Sequence, residues 1–224
     1  MTYKNTLPAV FLSRPNRFTA VCSVNGREQI CHVKNTGRCR ELLTESASVI
    51  LQKSENPLRK TAYDLISVYK GDMLVNMDSQ APNKVFAENI PRFFGKDAVF
   101  KPEFKYGDSR IDFFISSAGE KFLAEVKGVT LEKGGAALFP DAPTERGVKH
   151  VNELIKAVKE GFKAYIVFVV QMMPISHFSP NTETQPEFHE ALKRAQKAGV
   201  KLIAFQCRVT ENSLEYHSQV PVVL

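Results

Sequence analysis

The chain has 224 residues, and 43% of them are hydrophobic, so a substantial core is available and wholesale disorder is excluded. No apolar run approaches the ~18 residues needed to cross a bilayer, which argues against a membrane-spanning helix. The formal net charge of +6 permits a polyanionic partner without requiring one.

The amino terminus and the cysteines both favour the cytoplasm. Residues 1–18 contain no apolar segment followed by a small-residue cleavage site, so we expect mature sequence. The cysteines show neither a CxxC pair nor zinc-ligand spacing, and we expect reduced, buried thiols. These cysteines are Cys22, Cys31, Cys39 and Cys207.

Residues 1–80 predict an all-β domain. Asn25 and Gly26 stand between two β-rich runs, which is a strong signal for a type I′ hairpin. Further strands are predicted in SVILQKS and TAYDLISVYKG, with a short helical turn around GRCRELL. About five short strands with one small helix indicate a small barrel of the OB-fold type, and a β-sandwich is the alternative.

The polar segment VNMDSQAPNK marks the junction with a second domain, which covers residues 81–224. Asn83 is predicted to cap a short helix, KVFAENI, that stops at Pro91. After this helix the pattern becomes mixed α/β. Strands are predicted at 110–115, 122–127, 164–170 and 201–207.

Two helices are predicted between these strands. TERGVKHVNELIKAVKEG carries one apolar stripe, with Thr144 at its start and Gly161 at its end. PEFHEALKRAQKAG is the second, and it ends at Gly199. The strand YIVFVV is apolar without alternation, which is typical of a strand covered on both faces. The second domain therefore predicts a sheet between helices.

The strands at 110–115 and 122–127 predict a hairpin joined by SSAGEK. A symmetric hairpin places Asp112 opposite Glu125 and Phe114 opposite Leu123. Because side chains alternate between the two faces of a strand, one face is wholly apolar. It would contain Ile111, Phe113, Ile115, Phe122, Ala124 and Val126.

The other face of this hairpin carries Asp112, Glu125 and Lys127 at its margin. Two facing carboxylates repel each other, and partial desolvation strengthens that repulsion. Lys127 offsets one charge, and a divalent cation with a preference for hard oxygen ligands, such as Mg²⁺, would offset two more. The alternative is a strand-edge ion cluster in which Lys127 simply neutralises Glu125.

An aspartate on one strand followed by Glu-x-Lys on the next is the active-site pattern of PD-(D/E)XK nucleases. Longer motifs surround it in the order RPNRF, HVKNTGRCRELL, NMDSQAPN, SRIDFFI, AEVKGVTL, FPDAPTERGVKHVNEL and AYIVFVVQM. With these motifs the chain resembles the sugar fermentation stimulation protein (SfsA) family over nearly its whole length. Glu45 and Ser46 stand where that family usually has Pro-Gly, so we expect a different turn there.

The resemblance implies an OB-fold-like domain at 1–80 and a PD-(D/E)XK nuclease-like α/β domain at 81–224. Members of the family are regarded as non-specific DNA binders with a suggested role in regulating maltose metabolism. By motif position, Asp112 and Glu125 would ligate Mg²⁺ (or Mn²⁺), and Lys127 would orient the attacking water or stabilise charge on the phosphate.

The resemblance also implies an additional carboxylate near the metal. Glu88, on the helix after the junction, matches it, and an exposed helix residue is the alternative. Glu103, on a predicted strand, is a less favoured candidate.

The helix that starts at Thr144 carries Arg146, Lys149 and His150 in its first two turns. Arg146 and His150 are four residues apart and therefore share a face. With the amides of the helix N-terminus they could hold a phosphate. The alternative is a solvated face on which Lys149 pairs with Glu153.

Basic residues of the first domain cluster at strand ends and in the loop after the hairpin, namely Arg14, Arg17, Lys34, Arg38 and Arg40. OB-fold barrels bind nucleic acids through basic grooves and aromatic platforms. Phe18 is the nearest aromatic residue, but it alternates with Arg17 and is expected in the core. No recognition helix is visible, so contact with the phosphate backbone of DNA is the predicted mode.

The leading hypothesis is a cytoplasmic, two-domain, non-specific DNA-binding protein with a Mg²⁺-dependent nuclease-like site. A non-catalytic DNA-binding regulator of sugar (maltose) metabolism genes on the same scaffold is the main alternative. A protein-interaction module with an incidental basic surface is the third. The sequence leaves the oligomeric state open.

Overall fold

A closed β-barrel forms the first part of the chain. The structure, a computed structural model, describes residues 1–35 and 37–224. Its first strands lie in one sheet of order β3-β2-β1-β4-β5-β6, and parallel pairing of β3 with β5 closes five of them into a barrel. This confirms the predicted OB-fold-like domain. The strands are β1 Thr6–Asn16, β2 Thr19–Val24, β3 Arg27–Val33, β4 Ser48–Lys53, β5 Tyr63–Lys70 and β6 Met73–Asn76.

The turns of the barrel agree with the sequence in part. Asn25 and Gly26 both have positive φ, 49° and 76°, as the predicted type I′ hairpin requires. The segment GRCRELL forms the predicted short helical turn, in which the Leu43 amide donates to the Cys39 carbonyl over 2.9 Å, and it does not extend into a longer helix. Ser46 takes a φ of 62°, a conformation that favours glycine.

All four cysteines are buried and free, as predicted. Burial raises the pKa of the Cys39 thiol to about 12, and it does the same for Cys207. These thiols are therefore protonated at neutral pH and act as small apolar core residues.

The helix α1, Ala81–Phe94, begins earlier than the sequence predicted. Asp78 supports its start, because Oδ1 accepts from the Gln80 amide over 2.9 Å and its carbonyl accepts from Ala81 over 3.1 Å. Pro82 occupies the first turn, where a missing N–H costs nothing. Asn83 therefore lies inside the helix and does not cap it.

The same helix runs through Pro91, where the sequence predicted its end. An internal proline costs about 3 kcal/mol, so packing must compensate. Phe94 in the last turn packs edge-on against Phe122 and Tyr165, with ring centroids 5.1 and 5.0 Å away. This aromatic cluster holds the final turn in place.

The second part of the chain is mixed α/β, as predicted. A sheet of order β15-β14-β12-β9-β8-β7 forms its centre, and β12 runs parallel to both β9 and β14. A small sheet of order β10-β11-β13 was not predicted. The elements are β7 Val99–Tyr106, β8 Ser109–Ser117, β9 Glu120–Val129, β10 Leu131–Lys133, β11 Ala136–Phe139, α2 Glu145–Lys159, β12 Lys163–Val170, β13 His177–Pro180, α3 Pro186–Lys197, β14 Lys201–Val209 and β15 Leu214–Val220.

The large sheet lies between helices. The core on one side joins α1 to β8, β9, β12 and β14, and the core on the other side includes the apolar faces of α2 and α3. Residues 164–170 of β12 are all buried, as a doubly covered strand requires. Within the described residues, no helix has the length and apolar character to cross a membrane.

The β8–β9 register is the one that hairpin symmetry predicted. Phe114 pairs with Leu123, and the regular ladder ends at Phe113 and Ala124. Beyond that point Oδ2 of Asp112 accepts a hydrogen bond from the Val126 amide over 2.8 Å. The two strands separate there, so Asp112 is not a ladder partner of Glu125, and its carboxylate bridges the gap.

The predicted apolar face is largely correct. Five of its members pack in the core on the α1 side, whereas Ile111 is buried in the other core. Ile111 lies beyond the last regular β8–β9 pair, where strict alternation no longer applies.

A buried polar contact joins the barrel to the large sheet. Gln171, directly after β12, donates through Nε2 to Asn76 Oδ1 over 2.8 Å and to the Asp78 carbonyl over 3.1 Å. The Asn76 amide in turn donates to the Gln171 carbonyl over 2.9 Å. Since buried polar groups must keep their partners, this contact fixes the barrel relative to α1 and β12.

Candidate carboxylate site and arginine cleft

A carboxylate site lies where β8 and β9 separate. Asp112 is held from two sides, because Oδ2 accepts from the Val126 amide and Oδ1 accepts from Asn83 Nδ2 of α1 over 3.0 Å. Burial raises the pKa of Asp112 to about 6, and the negative charge of Glu125 adds to that shift. The two carboxylates are therefore close enough to repel each other.

Glu125 is almost fully buried, with 3% of its surface exposed. Lys127 Nζ lies 2.6 Å from Oε1, and Nδ1 of His150 contacts the same oxygen. Oε2 is buried and has no hydrogen-bond partner. Burial would raise the pKa of Glu125, but the hydrogen bond from His150 and the charge of Lys127 outweigh it, so the pKa is lowered. The result is a buried carboxylate with one oxygen left unpaired.

His150 lies on α2 and is 5% exposed. Arg146 Nε donates to His150 Nε2 over 3.4 Å. With Nε2 facing the Arg146 donor, Nδ1 is the ring nitrogen placed to donate to Glu125. The sequence predicted that His150 binds phosphate, whereas the structure places it against a carboxylate beneath the surface.

The start of α2 is fixed as predicted. Thr144 Oγ1 accepts from the Gly147 amide over 2.9 Å. Arg146 and Lys149 are exposed on the first turns. Glu153 pairs with Lys156 at 2.9 Å and not with Lys149. Two exposed cations therefore stand on the helix that carries His150 to the carboxylates.

Of the additional carboxylates predicted from the sequence, Glu88 has another partner, whereas Glu103 lies on β7 across from Asp112, between the pairs Pro102–Phe113 and Phe104–Ile111. Glu88 is 54% exposed and pairs with the amino group of Met1 at 2.8 Å. Glu103 is exposed on β7 with a φ of 51°. Asn83, not Glu88, is the α1 residue that reaches Asp112.

Among the residues that the structure describes, no three His, Cys, Asp or Glu side chains form a ready metal site. The two carboxylates still fit a hard cation, because Mg²⁺ is commonly held by one or two carboxylates and keeps several waters. The buried, unpaired Oε2 of Glu125 supplies the clearest ligand position.

A second concave feature, the arginine cleft, lies on the barrel between the β1–β2 turn and the loop before β4. Its volume is about 420 Å³. Its lining contains four of the five basic residues of the first domain that the sequence predicted to contact nucleic acid. The lining residues are Arg14, Asn16, Arg17, Gly37, Arg38, Arg40 and Leu43.

Arg14 holds the two sides of the arginine cleft together. Its guanidinium donates to the backbone carbonyls of Arg38 over 2.6 Å, Arg17 over 2.8 Å and Asn35 over 2.8 Å. The predicted partner Lys34 does not line the cleft. It pairs with Asp64 at 3.0 Å and with Asp78 at 3.8 Å, so it belongs to a charge cluster of the barrel.

Phe18 is not in the core, contrary to expectation. It is 47% exposed, and the Arg17 guanidinium lies 5.2 Å from its ring centroid. Its amide donates to Asn16 Oδ1 over 2.9 Å in the turn between β1 and β2. Strand alternation does not hold in a turn, and the ring therefore lies on the surface beside the arginine cleft.

The arginine cleft adjoins the loop that leads into α2. A Cβ on Gly37 would lie 2.4 Å from Asp141 Oδ2, so any larger residue there would have to displace the Asp141 carboxylate. Burial raises the pKa of Asp141, against opposing backbone donors that include Arg38. From Asp141 the chain reaches the α2 cap, Thr144, in three residues. The cleft and the carboxylate site are thus linked through one loop and two turns of helix.

Comparison with known families and proteins covers the whole chain. Residues 12–77 match the family model "SfsA N-terminal OB domain", and residues 80–213 match "Sugar fermentation stimulation protein RE domain". Curated relatives named "Sugar fermentation stimulation protein homolog" include one from Clostridium beijerinckii, 50% identical over 100% of both chains. Another, from Desulfitobacterium hafniense, is 52% identical over 100% of this chain and 99% of its own.

A solved structure is also similar. It is titled "The structure of Pyrococcus Furiosus SfsA in complex with Ca2+" and is 27% identical to this chain. The TM-score is 0.89, and the match covers 100% of this chain and 98% of the other.

Proposed function

The chain belongs to the sugar fermentation stimulation protein (SfsA) family, and on that premise we propose that it binds DNA without sequence preference and hydrolyses phosphodiester bonds with Mg²⁺ or Mn²⁺. One observation carries the proposal. Oε2 of Glu125 is buried without a partner, and the charge of Glu125 is close enough to Asp112 to help raise the pKa of that carboxyl. Lys127 offsets one of the two carboxylate charges, and the second buried charge is costly unless a further cation joins them.

The fit of a divalent cation has independent support. The similar structure of the Pyrococcus furiosus protein is described as a complex with Ca²⁺. Ca²⁺ and Mg²⁺ share a preference for oxygen ligands, and Mg²⁺ needs fewer of them from the protein. Asp112 and Glu125 would hold the cation, with the remaining positions open to water and phosphate.

When bound, the cation would supply a water of lowered pKa and would neutralise charge on the phosphate. The chain's own residues do the rest. Lys127, with 13% of its side chain exposed, is placed to donate to a phosphate oxygen or to the attacking water. His150 and Lys127 both hold Oε1 of Glu125, which keeps Oε2 directed away from them. The water oxygen bonds to phosphorus and releases one proton, the bond from phosphorus to the leaving oxygen breaks, and that oxygen takes up one proton.

DNA would be held by its phosphates. Arg146 and Lys149 are exposed on the helix beside the carboxylate site, and the arginine cleft adds further cations on the barrel. Because such contacts release counterions, affinity should fall steeply as salt rises. They read no base sequence, which suits non-specific binding.

Supercoiled plasmid tests this proposal. Wild type with Mg²⁺ or Mn²⁺ should nick or linearise it, whereas Asp112→Asn and Lys127→Met should not. Glu120→Gln is the matched control, because Glu120 lies at the far end of β9 in an exposed ion pair with Lys163. Intact plasmid with pure wild type, together with salt-sensitive DNA binding, would favour the non-catalytic regulator.

A further inference from the structure

The arginine cleft is a fixed, positively charged cavity. No acidic residue lines it, and Arg17, Arg38 and Arg40 form no ion pair with any other residue that the structure describes. Arg14 is immobilised by three backbone carbonyls, so the wall is already ordered before a ligand arrives. Arginine forks match phosphate oxygens in a bidentate geometry. The chemistry of the cleft therefore fits phosphate groups.

An exposed aromatic ring stands beside these cations. Phe18 is 47% exposed, and its backbone is held by Asn16 Oδ1 and by the Val33 amide, which donates to the Phe18 carbonyl over 2.8 Å. The Arg17 guanidinium lies over the ring, a contact that is weak at an exposed site. The Arg17 side chain can therefore move to contact a phosphate, which exposes the ring face of Phe18 to another planar group.

From these observations we infer that the arginine cleft binds a single-stranded stretch of nucleic acid, with phosphates among Arg17, Arg38 and Arg40 and one base stacked on Phe18. The inference rests on the proposed function and narrows its substrate. In a duplex the bases are stacked on each other and cannot reach a phenyl ring, whereas a single strand exposes them. A cavity of about 420 Å³ is the size that takes a small group such as one nucleotide.

The position of the cleft allows the same strand to reach the carboxylates. Gly37 packs on Asp141, three residues before Thr144, and His150 on α2 contacts Glu125. Three extended residues and six helical ones span at most about 20 Å. The exposed Arg146 and Lys149 lie on the helix that spans this distance and could contact such a strand.

Fluorescence anisotropy in EDTA tests this inference without cleavage. The probes are labelled oligothymidylate, oligouridylate and a mixed-sequence DNA duplex of matched length. Wild type should bind a single strand more tightly than the duplex. Phe18→Ala should weaken single-strand binding by roughly 5- to 150-fold and change duplex binding by no more than about twofold. Phe18→Tyr keeps the ring and should keep the affinity.

The controls are Phe100→Ala, which removes another half-exposed ring on β7, and Lys193→Gln, which removes an exposed cation on α3. Both should leave all affinities unchanged. The inference would be overturned if Phe18→Ala lost affinity equally for single strand and duplex, or lost none. It would also be overturned if wild type did not prefer the single strand. If wild type still cleaved plasmid in that case, the proposed phosphodiester hydrolysis would remain supported. Tighter binding of oligothymidylate would identify DNA as the source of the strand, and tighter binding of oligouridylate would identify RNA.

Discussion

The imidazole of His150, on α2, contacts the carboxylate of Glu125, on β9, through Nδ1 and Oε1. Lys127 contacts the same oxygen at 2.6 Å, so both partners of Glu125 are on one side of the carboxylate. Oε2 has no hydrogen-bond partner, and it is the oxygen to which the proposed cation would bind. The helix therefore acts on the site through the orientation of Glu125.

His150→Ala should weaken Mn²⁺ binding by roughly 10- to 100-fold, because residues that orient a metal ligand contribute on that scale. Calorimetric titration with Mn²⁺ measures it. His150→Asn retains a donor near the position of Nδ1 and should recover most of the affinity. Equal affinity in wild type and His150→Ala would show that His150 does not position Glu125.

Asp112→Asn should stabilise the protein in EDTA. Burial and Glu125 hold the pKa of Asp112 at about 6, above its ordinary 3.8, so the ionised form costs stability above that pH. At pH 8 the variant should be more stable by up to about 3 kcal/mol, and the gain should shrink as the pH falls through 6 towards 4. Urea unfolding at several pH values measures this gain.

The same variant should lose its response to metal. We expect Mg²⁺ to bind the folded state of wild type and to raise its unfolding midpoint, whereas Asp112→Asn should show little change. If Asp112→Asn were less stable than wild type in EDTA at pH 8, repulsion between the two carboxylates would not be destabilising the fold.

Asp64 should give the barrel a contribution to stability that acid removes. Burial opposes its charge, but hydrogen bonds from Arg59, at 2.6 and 3.0 Å, and from Lys34 outweigh burial and lower its pKa to about 2. A lowered carboxyl pKa stabilises the fold above about pH 4, and this is lost as the pH falls towards 2. Asp64→Asn should therefore cost at least about 2 kcal/mol at pH 7.

Unfolding of Asp64→Asn and wild type, compared at pH 7 and near pH 3, tests this assignment. The difference between the two proteins should narrow at the lower pH. A difference that does not change with pH would show that lost packing, and not the charge of Asp64, causes the destabilisation.

Glu88→Gln should leave plasmid cleavage unchanged. Glu88 is exposed and pairs with the Met1 amino group, so the variant should lose no more than about 1 kcal/mol of stability. Nicking assays alongside thermal unfolding check both parts. Loss of cleavage with an intact fold would return Glu88 to the metal site, where the family resemblance placed it.

The features that local patterns govern were predictable. Hairpin symmetry gave the β8–β9 register through Phe114 and Leu123, and the Thr144 cap fixed the start of α2. Turn chemistry gave the Asn25 and Gly26 hairpin. These features depend on residues close in sequence, so periodicity and capping rules were sufficient.

Features that depend on tertiary contacts were not predictable in the same way. His150 and Glu125 are 25 residues apart, and only the packing of α2 on β9 brings them together. The local sequence suggests a nucleic-acid contact for Lys34, because its partner Asp64 lies on another strand. It also predicts a helix end at Pro91, because the aromatic packing of Phe94 depends on residues of other strands.

A crystal of the wild-type protein soaked in Mn²⁺ tests the central claim most directly, through the anomalous signal of the metal. We expect a peak about 2.1 Å from Oε2 of Glu125 and within ligand distance of an Asp112 oxygen, with remaining positions filled by water. No peak between these two carboxylates at saturating Mn²⁺, or a peak bound only elsewhere, would contradict a metal-dependent reaction at this site.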